Sequence, residues 1–96
     1  MDFLVEIQVR LPDHLGEARR TALLAAELEH GRELRLAGVI QHIWRVPGAR
    51  RNIGIWRTPD AGALHEAIAS LPLFEWMAVD VTPLAPHPAD QGDAVA

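Results

Sequence analysis

Apolar and polar residues alternate cleanly from Phe3 to Arg10. Phe3, Val5, Ile7 and Val9 fall on one side, with Leu4, Glu6, Gln8 and Arg10 on the other. A period of two predicts a strand with one dry face. Leu11-Pro12 stops it, and Asp13 or His14 opens a helix that runs to about Leu36. Ala, Leu, Glu and Arg dominate that stretch and no proline interrupts it, which suits a helix. Gly31 is a weak point within it, and Gly38 is the better stop signal. Val39 to Val46 is rich in β-branched and aromatic residues and predicts a second strand. Pro47-Gly48 turns the chain, and Asn52 to Arg57 completes a hairpin. Thr58-Pro59-Asp60 then starts a short helix with Asp60 as its N-cap. Leu64, Ala67, Ile68 and Leu71 form its apolar stripe, and Pro72 ends it. Leu73 to Val81 is the predicted last strand, after which Pro83, Pro86 and Pro88 hold the chain extended.

The element order is βαββαβ. Right-handed crossovers fold that order into an α+β domain with a four-stranded antiparallel sheet and both helices on one face, the ferredoxin-like arrangement. The expected domain is 1–88, followed by a small, polar, flexible tail over 89–96. Helices on one side leave the other sheet face bare, and a chain of 96 residues buries only a modest share of its surface. A second copy's sheet is the economical cover, giving a dimeric α+β barrel.

Composition narrows the chemistry. Cysteine is absent, so there is no disulfide framework, thiolate nucleophile or cysteine-based zinc site. All nine cationic side chains are arginine, which removes lysine Schiff-base chemistry. A net charge of -4 argues against nucleic acid, whose phosphates demand a basic surface. Neither a leader peptide nor an apolar run near membrane length is evident, so a cytoplasmic protein with no membrane association is expected. Histidine spacing fits no zinc helix motif, and no glycine-rich phosphate loop appears. Neither a metal nor a cofactor is expected. Ser70 is the only serine and sits at a helix end, a poor place for a nucleophile.

Two groups of residues can carry chemistry. Leu23, Glu27, His30 and Leu34 are spaced by four, three and four, so they share one face of the long helix. If that face meets the sheet, burial raises the pKa of Glu27 and makes it a stronger base once ionised. If the stripe is rotated, Glu27 pairs with a surface arginine such as Arg20 or Arg35. The hairpin carries His42, Trp44, Arg45 and Asn52, with His42 and Trp44 on one face and Arg45 on the opposite one. Such donors can hold an oxyanion, and arginine can hold a carboxylate. The plainer alternative makes them a hydrogen-bonded wall, a core filler and a surface ion pair. Arg10, at the end of the first strand, is a further anion anchor or simply a solvated strand end. His65 borders the second helix's apolar stripe, and His87 lies between prolines.

The segment Gln41-His42-Ile43-Trp44-Arg45-Val46-Pro47-Gly48, with Asn52, Leu64-His65, Leu71-Pro72-Leu73-Phe74, Met77 and Leu84…His87-Pro88, resembles the muconolactone Δ-isomerase family. The likeness runs from Met1 to Pro88, although the family often has lysine where Arg10 stands. It implies an enzyme of bacterial catechol breakdown, in the β-ketoadipate pathway, that converts muconolactone to 3-oxoadipate enol-lactone without a cofactor. It also implies ferredoxin-like dimers built into larger homo-oligomers, typically decamers. Glu27 falls where the family carries glutamate, and His42 is the rival base; Arg10, Trp44, Arg45 and Asn52 are the expected substrate contacts. A chloromuconolactone dehalogenase on the same scaffold, or a non-catalytic metabolite-binding dimer, are the alternatives.

Overall fold

The computed structural model describes residues 1–90. Strand β1 (Asp2–Val9) leads to helix α1 (Glu17–Leu36) and then to the hairpin β2 (Ile40–Arg45) and β3 (Arg51–Arg57). Helix α2 (Ala61–Ala69), a 3-10 turn over Phe74–Trp76 and strand β4 (Met77–Leu84) complete it. The strands pair antiparallel in the order β2-β3-β1-β4. This is the expected ferredoxin-like α+β sheet, with β1 and β3 central. The core is built on one sheet face. Phe3, Val5 and Ile7 of β1 and Trp56 of β3 pack there with Leu64 and Ile68 of α2, and half-buried Leu34 of α1 packs against them. Both helices therefore cover the same face.

Local chemistry explains most boundaries. Asp60 caps α2 as expected, its Oδ1 accepting from the Ala63 N–H at 2.7 Å. Gly38 ends the α1 segment with a φ of 81°, a left-handed conformation that a residue without Cβ adopts at low cost. Helix α1 runs through Gly31 without interruption but starts at Glu17 rather than at Asp13 or His14. Residues 13–15 form a turn instead, with the Leu15 N–H bonded to the Pro12 carbonyl, and Gly16 is the extended N-cap.

The final strand differs from its expected 73–81 range. Leu73 to Trp76 is taken up by the 3-10 turn and its N-cap, which carries the chain from α2 back to the sheet. The strand then continues through Pro83 to Leu84. Proline is tolerated because β4 is an edge strand, bonded on one side to β1 alone. Of the expected flexible tail, Ala89 and Asp90 belong to a short turn capped on His87, and 91–96 lie outside the described residues. Among the described residues no helix is long and apolar enough to cross a membrane.

Candidate active site

The stripe Leu23, Glu27, His30, Leu34 is the inward face of α1. Each of the four is half-buried, while Leu24, Leu28 and Arg32 beside them are exposed. Glu27 does not pair with an arginine. Its Oε1 accepts the backbone N–H of Leu73 at 3.0 Å, across 46 residues of sequence. Burial is the larger influence on its acidity and pushes the carboxyl above the ordinary carboxylate range; the Leu73 N–H and the nearby His30 ring pull it partly back. The second oxygen makes no hydrogen bond among the described residues. The result is a half-desolvated carboxylate, oriented through one oxygen and free at the other, which is what a general base needs.

Register sorts the hairpin residues. Residues paired across an antiparallel ladder share a face. Asn52 pairs with Ile7, and Trp56 with Phe3, so both lie on the helix-covered face with Gly54 between them. Arg45 pairs with Asn52 and shares that face. His42 and Trp44 pair with Ile55 and Ile53, which puts them on the bare face, where their rings stack with centroids 5.6 Å apart. Trp44 is 55% exposed. Within a protomer, Glu27 and His42 are thus on opposite sides of the sheet and do not flank one ring. Arg10 is exposed beyond the end of β1, its backbone N–H bonded to the Trp76 carbonyl.

The helix-covered face carries two unsatisfied polar atoms. Asn52 Oδ1 and Trp56 Nε1 are both buried without a hydrogen-bond partner. Such atoms are uncommon in folded proteins, where a water or a ligand commonly supplies the missing bond. Gly54 is what allows this arrangement. A Cβ there would stand 2.8 Å from the His42 carbonyl oxygen and 3.1 Å from Trp56 Nε1. Trp56 was not among the residues expected from sequence, although its spacing of two from Gly54 and four from Asn52 was readable as a shared face. The Leu73 N–H, a backbone group, has no signature in sequence at all.

A cleft of about 490 Å³ lies apart from these residues, between α2 and the outer edge of β4. Leu64, His65, Ile68, Phe74, Met77 and Val79 line it, with the His65 ring edge-on to Phe74. It borders the Phe74 end of the turn whose Leu73 holds Glu27, yet no expected site residue opens into it. No three His, Asp or Glu side chains converge as a metal site among the described residues.

Comparison with known proteins identifies relatives of the whole chain. A family model described as muconolactone delta-isomerase matches residues 1–90. The muconolactone Delta-isomerase of Rhodococcus opacus is 35% identical over 88 residues, covering 92% of this chain and 95% of the relative. That of Pseudomonas aeruginosa is 33% identical over 89 residues, covering 93% of each. A crystal structure of muconolactone isomerase superposes with a TM-score of 0.87 at 36% identity, covering 93% of each chain. A 5-chloro-2-hydroxyhydroquinone dehydrochlorinase from Burkholderia phenoliruptrix, solved with 2,5-dihydroxybenzoquinone, has a TM-score of 0.69 at 19% identity over 93% of this chain and 98% of that one. That second likeness is one of fold alone.

Proposed function

The chain belongs to the muconolactone delta-isomerase family, and from that premise we propose that it isomerises muconolactone to 3-oxoadipate enol-lactone with Glu27 as the base. The reaction moves one proton. Glu27 removes the ring proton beside the lactone oxygen, and the electron pair delocalises into a dienolate, an oxyfuran anion. The same carboxyl then returns the proton to the carbon next to the carbonyl, and the double bond has shifted. Both carbons lie on one ring, so one base on one ring face serves both steps.

The observation that carries this reading is the state of Glu27: half-buried, held by Leu73 through one oxygen and raised in pKa by burial. Its raised pKa brings it nearer to that of the carbon acid and strengthens it as a proton acceptor. Arg45 and Asn52 share the helix-covered side of the sheet with it. They suit the substrate's free carboxylate and a polar ring substituent, respectively. Arg10 is the second anion anchor, reached from the strand end. His42 and Trp44 belong to the bare sheet face, which also presents Leu4, Ile53 and Ile55. We assign that face to a second copy of the chain, so that the working unit is a homo-oligomer built on sheet-to-sheet dimers.

Turnover of muconolactone by the purified protein tests the activity, and Glu27→Gln tests the base. The amide keeps size and polarity but cannot take the proton, so kcat should fall by about 10²–10⁴. Arg45→Ala should raise KM more than it lowers kcat, as expected for a contact to a spectator carboxylate. Near-normal turnover by Glu27→Gln, with loss in His42→Asn, would reverse the two roles.

A further inference from the structure

Helix α1 is loosely anchored for an element that carries a base. None of its twenty residues is buried. Only Leu34, near its C-terminal end, packs against the core cluster. Midway along the helix, two polar links cross to the connection between α2 and β4. One is the Leu73 N–H donated to Glu27. The other joins His30 Nε2 to Ser70 Oγ at 2.7 Å, across 40 residues of sequence. The links are two rungs of one ladder, three residues apart on each side, running from 27 and 30 to 73 and 70.

Proton accounting fixes the second rung. The Ser70 hydroxyl donates to the Ala67 carbonyl at 2.6 Å in the last turn of α2, so its oxygen is left to accept. His30 Nε2 must then carry a proton. The other ring nitrogen, Nδ1, faces Glu33 Oε2 at 3.5 Å on α1 itself. Nδ1 attracts that carboxylate only in the doubly protonated ring, so the bond to Ser70 at the end of α2 is the one that ties the imidazole down in either form.

We propose that His30 and Ser70 form a clasp that positions the Glu27 carboxylate for proton transfer, making both of them positioning residues. This rests on Glu27 being the base. Without the clasp, the middle of α1 keeps one polar tether, the very carboxylate that must move a proton. A base displaced by about 1 Å can lose on the order of 10² in rate.

Steady-state kinetics of folded variants, with helix content checked by circular dichroism, test the clasp. Ser70→Ala and His30→Ala should each lower kcat by about tenfold and leave KM nearly unchanged, because neither side chain touches substrate. The double variant should be no slower than either single one, since the two act as a unit. His30→Gln, whose amide N–H can still donate to Ser70, should recover most of the loss. A clasp variant with normal kcat, while Glu27→Gln is inactive, overturns the clasp and leaves the base standing. A raised KM at unchanged kcat, or no recovery in His30→Gln, also overturns it. Normal turnover in Glu27→Gln instead removes the base and the clasp with it. If His30→Ala loses its fold, Ser70→Ala at the exposed helix end decides alone.

Discussion

Glu27 holds a carboxylate where the fold would prefer a neutral group, and the consequence is measurable apart from catalysis. Its folded pKa is raised, chiefly by burial. A raised folded pKa means that the group favours folding when protonated, at pH below the ordinary carboxylate range. That stability is lost as pH rises through the folded pKa, because ionising the buried carboxyl then costs more than ionising it in the unfolded chain. Glu27→Gln should therefore unfold at a higher temperature than the parent protein at pH 7. The gap should close as pH falls below about 4.5, the carboxyl's ordinary value. Thermal melts of both proteins from pH 3.5 to 8 check the sign; a gap that widens on acidification would contradict it. The same residue-scale reasoning explains Gly54, where a Cβ would collide with backbone on the neighbouring strand.

At the scale of elements, the two helices are built on different terms. Helix α2 buries Leu64 and Ile68 and has a side-chain cap at Asp60. Its position is set by apolar packing, and its start by one hydrogen bond. Asp60→Ala removes that bond and should cost on the order of 1 kcal/mol in a denaturant titration, with the sheet unaffected. Helix α1 buries nothing fully and has no side-chain cap. Its face toward the sheet mixes Leu23 and Leu34 with Glu27 and His30, trading packing for polar reach. Polar links can hold a charged group at a chosen height above a sheet. An apolar stripe alone would have left that group in solvent.

For the whole molecule, the sheet's two faces have different fates. One is closed by the helices. The other presents Leu4, Ile53, Ile55, His42 and Trp44 beside the charged Glu6, Arg51 and Asp80. A bare face that mixes apolar and charged residues suits a second copy, since a closed pair removes the apolar area from water. Sedimentation at micromolar concentration should show an oligomer. Ile55→Glu, at the middle of that face, should shift the distribution towards smaller species while far-UV circular dichroism stays unchanged. A folded monomer in the parent protein would sink the assignment of this face.

The amino-acid sequence by itself determined the elements and their faces, because periodicity, caps and turn residues act over a few neighbours. The dry side of β1, the Asp60 cap, the Gly38 stop and the common helical face of Glu27 and His30 were all legible in that way. So was the split of His42 and Trp44 from Arg45 on one strand. The inward turn of the helical face of Glu27 and His30 was not. What only the tertiary structure decided depends on contacts between distant segments. The Leu73 amide reaches Glu27 across 46 residues, and Ser70 reaches His30 across 40. Neither has a local pattern, since a backbone N–H looks alike at every position and one serine marks nothing. The turn at Phe74–Trp76 was read as strand because its apolar residues fit either form; the need to lead α2 back to β4 selected the turn. Assembly of the sheet also put Glu27 and His42 on opposite sides. Each strand's alternation was readable alone, but which face the helices cover was set only when both packed on Phe3, Val5 and Ile7.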